Sequence, residues 1–262
     1  MLSYQHIYHA GNLADVQKHA LLAWMLAYLT RKDKPLSYIE THAGRALYDL
    51  ASDAAVKTGE AAHGIRALRP LLPPDHPYAK ALALTEAAEG PMAYPGSPLI
   101  ATHLLRAGDT IHLAELHPAE HRALCTALPR AHVHLRDGFD TAHALVPPTP
   151  RRGLMLIDPS YEIKDDFKTI PGHLRKWHRA WNVGVICVWY PILRSGAHKD
   201  MCKAFARDFP DALNHQIHFT PARDGHGMTG SGLFVINPPF GLAEAARELE
   251  TLFKTGGVWQ SP

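Results

Sequence analysis

GLMLIDPSYE, Gly153 to Glu162, is the stretch on which the reading of the fold turns. Leu154 to Ile157 form an unbroken apolar run, as in a parallel strand buried on both faces. Asp158, Pro159, Ser160 and Tyr161 follow at once. In an open α/β sheet, ligands bind beyond the carboxyl ends of the strands, so this tail projects into a site. A short carboxylate, a proline-held carbonyl and a flat ring can grip the amino edge and the face of a planar heterocycle. A strand that simply enters an Asp-Pro turn is the plainer reading of the same residues. The surrounding chain has to decide between the two.

That chain has 262 residues, enough for one large domain or a domain with an insertion. Its net charge of +2 permits nucleic-acid binding without demanding it. Basic residues cluster at Arg31-Lys32-Lys34, Arg151-Arg152 and Arg175-Lys176-Arg179, where they could track phosphates or form solvated faces. Cys125, Cys187 and Cys202 form no CxxC pair, which argues against a disulfide framework and a zinc finger and fits a reducing cytosol. The N-terminus lacks a signal-peptide pattern, and the apolar run near Ala20 to Leu29 is too short for a bilayer span. A soluble cytoplasmic protein is expected, with no membrane partner. Nineteen histidines are scattered without an HExxH, so no metal is assigned.

Upstream, Asn12 can cap a helix through Leu13 to about Leu29. Lys18 and His19 leave such a helix about 100° apart. Leu36 to Thr41 reads as the first strand, entering the small-residue turn His42-Ala43-Gly44. The next acidic strand end is Glu115, after Thr110 to Ala114. A nucleotide fold reaches its ribose-binding carboxylate roughly 20 residues after the glycine turn, so the longer gap here implies an insertion. Residues 46–92 are alanine-rich and broken by Gly59, Gly64 and the Pro70 to Pro74 run, and read as a small inserted helical subdomain within one domain, 1–262. In Tyr94-Pro95-Gly96-Ser97-Pro98, Ser97 suits an N-cap and Pro98 a first helical position.

A helix over about 119–128 leads to a third strand, His132 to Arg136, ending at Asp137-Gly138. After the opening stretch come a helix over 166–181, a strand Val183 to Tyr190 and a helix over 197–208. The strands His215 to Thr220 and Ser231 to Asn237 close the chain, joined by Pro221 to Gly230, a Gly- and Pro-rich loop expected to be mobile. Alternating strands and helices imply an α/β fold with a mainly parallel sheet covered on both faces.

A glycine turn after the first strand, Glu after the second, Asp after the third and DPSY after the fourth is the layout of the Rossmann-like (class I) S-adenosylmethionine-dependent methyltransferases. DPSY resembles the [DN]-P-P-[YFW] motif of those that methylate exocyclic amino nitrogens of bases. YxHxxHAGNxADVxKH at the N-terminus, the THAG turn, YPGSP, ELHP, the DGF segment and IDPxYE together resemble the RlmJ family of bacterial 23S ribosomal RNA adenine-N6 methyltransferases. The resemblance runs from residue 2 to the closing NPPF-G.

Asn237-Pro238-Pro239-Phe240 fits the amino-methyltransferase motif better than DPSY does, but it follows the last strand. The catalytic motif belongs after the strand beside the one carrying the glycine turn, so NPPF is read as structural. Two departures stand out. Ala46 occupies a position where the family tends to have glycine, and Ser160 replaces the second proline, which would have restricted Pro159 to extended geometry. A looser site with retained chemistry is expected.

The resemblance implies S-adenosylmethionine as cofactor, with His19, His42, Ser97, Glu115, Asp137, Gly138 and Asp158 at cofactor-binding positions. It places Tyr4, His6 and Lys18 near the target base. Asp158 and the Pro159 carbonyl would take hydrogen bonds from the amino protons, Asp158 would accept the departing proton, and Tyr161 would stack on the base. The implied partner is 23S ribosomal RNA, bound by a monomer. A DNA adenine-N6 methyltransferase shares this chemistry. A non-catalytic RNA-binding module on the same fold and a metal-dependent hydrolase using the N-terminal histidines are the readings from other classes.

Overall fold

The computed structural model describes residues 5–220 and 227–260. Helix α1, Leu13–Thr30, comes first, capped by the Asn12 side chain, which accepts from the Asp15 N–H. Strand β1, Ser37–Glu40, then enters the sheet. Strands β2, Leu47–Asp49, and β3, Ala93–Pro95, form a separate antiparallel pair. Between them lie α2, Asp53–Thr58, α3, Glu60–His63, α4, Ile65–Leu68, and α5, Pro77–Glu89. The strand pair is a feature that the alanine-rich composition of 46–92 concealed. Helix α6, Ser97–Leu104, follows. Its N-cap is Gly96 and not Ser97, one residue earlier than the sequence suggests, because Ser97 turns its hydroxyl to Glu40 instead.

The alternation then runs β4, Thr110–Ala114; α7, Pro118–Ala127; β5, His132–His134; α8, Gly138–Leu145; and β6, Gly153–Ile157. It continues with α9, Asp166–Ala180; β7, Val185–Leu193; α10, Lys199–Asp208; β8, Leu213–His218; β9, Met228–Ile236; and α11, Leu242–Thr255. The order across the main sheet is β5-β4-β1-β6-β7-β9-β8. All neighbours are parallel except the two pairs made by β9.

Strand β7 runs past Tyr190 through Pro191, which cannot donate to a ladder. Strand β6 has its last partner at Val188, so β7 has only β9 beside it there. Of the loop expected at 221–230, residues 221–226 lie outside the described residues, and Met228, Thr229 and Gly230 are already strand.

The central strands carry two cores with a period of two. Tyr38, Leu154, Leu156 and Cys187 pack beneath α1, α6 and α11, whereas Ile39, Met155, Ile157, Ile186 and Val188 pack beneath α9 and α10. Helix α1 is buried nearly all round, against α5, α6 and α11, and it carries Asp15, Lys18 and His19 into the interior. No helix among the described residues is long and apolar enough to cross a membrane.

Candidate active site

Strands β5, β4, β1, β6 and β7 all end on one edge, and the order reverses direction between β1 and β6. That switch point is where a crevice opens in sheets of this type. A cleft of about 420 Å³ occupies it. The strand-end residues Glu115, Asp137, Asp158 and Tyr161 line it, as do Lys18 and His19 from α1.

At its centre is a buried charge network. The Lys18 Nζ donates to Asp158 Oδ2 at 2.6 Å and lies 3.1 Å from Asp15 Oδ1. Burial opposes the ammonium, but the two carboxylates outweigh it and raise its pKa. Asp15 also accepts from the Gly11 N–H and bonds the His6 ring at 2.9 Å. Burial works against this carboxylate too, yet His6, Lys18 and His19 hold it well below the usual range. Two carboxylates thus share one ammonium in the wall of the cleft.

The remaining residues singled out in the sequence fall around this centre. Glu115 accepts from the backbone N–H of Gly44 at 2.8 Å and of His117 at 2.7 Å, tying the end of β4 to the glycine turn. Asp137 caps α8, one oxygen accepting from the N–H groups of Phe139 and Asp140. A Cβ on Gly138 would sit 1.9 Å from the Thr41 carbonyl, so only glycine lets α8 begin against the β1 turn. His19 shares a hydrogen bond with the Tyr94 hydroxyl at 2.8 Å, and burial depresses its pKa to about 3. His42 bonds Thr41 Oγ1 at 2.8 Å and burial takes it to about 4, so both rings are neutral at neutral pH. Tyr4 lies outside the described residues.

Two expectations need adjusting. Tyr161 is no open stacking platform: it is 8 % exposed, stacks on Phe167 at 4.5 Å and donates its hydroxyl to the Trp189 carbonyl. Its φ of 55° is the kind of backbone strain that accumulates at functional sites. Asn237 does follow the last strand, β9, but that strand is not at the side of the sheet, as its place last in the chain would suggest. Strand β9 lies between β7 and β8 and runs antiparallel, so NPPF falls at the sheet edge opposite the cleft. There the Asn237 amide donates to the carbonyls of Asn182 and Gly184.

Sequence reasoning passed over Glu40. It ends β1 as Glu115 follows β4, so the strand-end signal was present. Wholly buried, it accepts from the Tyr38 hydroxyl at 2.8 Å and from Ser97, and burial pushes it up to about 8. Asp15 and Trp189 were also missed; nothing local in the sequence marks either as part of a cleft.

A sheet of this order, reversed only at β9 and open at the β1–β6 switch point, is the architecture of the Rossmann-like methyltransferases. Within that class, the model of the family described as "Ribosomal RNA large subunit methyltransferase D, RlmJ" matches residues 33–257. The chain is 38% identical to Ribosomal RNA large subunit methyltransferase J of Escherichia coli (strain K12), over 93% of this chain and 90% of that protein. It is also 38% identical to the protein of that name from Haemophilus influenzae, over 99% and 97%. The crystal structure of protein LPL1258 from Legionella pneumophila superposes with a TM-score of 0.85 at 36% identity, covering 96% of each chain. The chain belongs to the RlmJ family of ribosomal RNA large subunit methyltransferases.

Proposed function

We propose that this enzyme transfers the methyl group of S-adenosylmethionine to the N6 amino group of an adenine in 23S ribosomal RNA. One observation carries the reading: Asp158 of the DPSY motif lies in the cleft at the switch point, ion-paired with Lys18, which Asp15 shares. The names of the relatives support ribosomal RNA as substrate, and the likeness of DPSY to amino-methyltransferase motifs supports the exocyclic nitrogen.

The residues fit the cofactor. Glu115 keeps acceptor capacity for ribose hydroxyls beside its two backbone donors, the glycine turn lets a ligand approach the main chain, and the cleft is of ordinary ligand size. His19, His42, Ser97, Asp137 and Gly138 border the same space. The cofactor supplies an electrophilic methyl on a positively charged sulfur, which the carboxylates lining the cleft favour.

The target adenine has to leave its stack to reach the cleft. Asp158 and the Pro159 carbonyl accept its amino protons, which frees the nitrogen lone pair from the ring. With Oδ2 held by Lys18, Asp158 keeps its other oxygen to take the departing proton. Tyr161, fixed by Phe167 and Trp189, offers the base only its cleft side, and His6 lines the same cleft. No step calls for a metal.

A monomeric enzyme is part of this reading, and a ribosomal RNA substrate supports a cytoplasmic location. Residues 46–92 serve as an inserted subdomain that buttresses α1 and, through it, Lys18. The test is to incubate the protein with labelled S-adenosylmethionine and unmodified 23S ribosomal RNA or DNA, followed by nucleoside analysis. N6-methyladenosine in the RNA is expected. Label confined to DNA, to another nucleoside or to neither polymer overturns the proposal.

A further inference from the structure

Asp166, the first residue of α9, has no role in the chemistry above, yet it lines the cleft and is only 8 % exposed. Among the described residues, no hydrogen bond or opposite charge compensates its carboxyl group. Burial, with the neighbouring Asp137 and Asp165 carboxylates, pushes it up to about 6. A carboxylate that only favoured a helix N-terminus would do so from solvent, as helix-end charges ordinarily do. Placing it beside Asp137 works against that role, and its oxygens remain open to a donor in the cleft.

The position indicates which donor. On the proposed function, Glu115 takes the ribose at the end of β4 and the methyl group faces Asp158 at the end of β6. The base of the cofactor then lies on the other side of the ribose, toward Asp137 and Phe139 at the end of β5. Asp166 meets that end because α9 packs on α8, with Phe139 stacked on His173 at 4.9 Å. Asp137 has one oxygen committed to backbone N–H groups and the other available. An exocyclic amino group carries two N–H donors, and two carboxylates face it here.

We infer that Asp166 is a cofactor-recognition residue that, together with Asp137, receives the 6-amino group of the adenine of S-adenosylmethionine and selects a 6-amino over a 6-oxo purine. The inference rests on the cofactor reading given above.

Calorimetry with S-adenosylhomocysteine and S-inosylhomocysteine tests it on the wild type, Asp166→Ala and Asp166→Asn, with melting curves for each. The wild type should prefer the adenosyl compound. Asp166→Ala should weaken its binding by about 10- to 100-fold, the size of a hydrogen bond to a charged group. Asp166→Asn, whose amide can donate to a 6-oxo group, should narrow or reverse the preference, which a merely structural role would not do. Equal wild-type affinity for the two compounds overturns the inference whether or not the variants fold, as does an unchanged preference in folded Asp166→Asn. A wild type that binds neither compound removes the cofactor reading and this inference with it. Adenosyl binding unaffected in folded Asp166→Ala removes this inference alone.

Discussion

Asp158 acts from within an ion network, so its replacement changes more than one charge. Asp158→Ala removes the proposed proton acceptor and leaves Lys18 paired with Asp15 alone. Methyl transfer should fall by about 10²- to 10⁴-fold. Asn237→Ala removes two hydrogen bonds to backbone carbonyls and places alanine at a φ of 53°, which asparagine tolerates better. Its effect should be a loss of roughly 1–3 kcal/mol of stability with turnover kept. Single-turnover rates and denaturation curves on both variants check this; loss of turnover in folded Asn237→Ala with activity kept in Asp158→Ala would reverse the assignment. Ala46 shows why a glycine is at home in the turn. It adopts a φ of 68°, which costs an L-residue roughly 1–2 kcal/mol, while its carbonyl anchors the Gly96 N–H at 2.7 Å.

Elements decide which charges can meet the RNA. Arg31-Lys32-Lys34 and Arg151-Arg152 lie just before β1 and β6, at the sheet edge away from the cleft. Several of these groups are committed locally. Arg152 donates to the carbonyls of Leu29 and Lys34, and Arg31 covers the Tyr28 ring. Arg175 is paired with Asp208 in the second half of α9, which also runs away from the cleft. Among the described residues, exposed cations at the strand ends on the cleft side are instead Arg136 after β5, Lys164 after DPSYE and Arg194 after β7. Charge reversal at Lys164 or Arg194 should weaken RNA binding and flatten its salt dependence by about one unit of slope for each phosphate no longer neutralised. Reversal at Lys32 should do neither. Filter binding from low to moderate salt measures both; a large effect at Lys32 would move the RNA to the opposite edge.

At the scale of the whole molecule, Glu40 links folding to pH. It sits where β1 meets α6, and its folded pKa of about 8 lies above the ordinary carboxylate value because burial outweighs the Ser97 and Tyr38 hydrogen bonds. The folded state therefore binds this proton more tightly than the unfolded chain. The stabilisation is fully present below the unfolded pKa and is lost as pH rises through about 8. Glu40→Gln removes that dependence. Its stability relative to the wild type should rise from pH 5 to pH 8, on the order of 3 kcal/mol. Urea denaturation of both proteins at the two pH values checks the sign. The buried neutral histidines, which make the fold less stable as pH falls below their unfolded value, are common to both proteins and cancel.

What the sequence determined by itself was local in origin. The apolar run 154–157 marks a strand buried on both faces, Asn12 marks a helix start, and a turn or acid after each strand orders the cofactor edge, because side-chain period and capping act over a few residues. What only the tertiary structure decided depends on strand direction and on reach across the chain. The antiparallel course of β9 sends NPPF to the far edge, and the same geometry puts two basic clusters behind the sheet. Lys18 and Asp158 are separated by 140 positions and meet at 2.6 Å because α1 packs across the strand that ends in DPSY. Asp166 reads in the sequence as one more acid at a helix start. Only the return of α9 over α8 sets it beside Asp137 in the cleft wall, where two neighbouring carboxylates disfavour each other and a ligand amino group can bridge them.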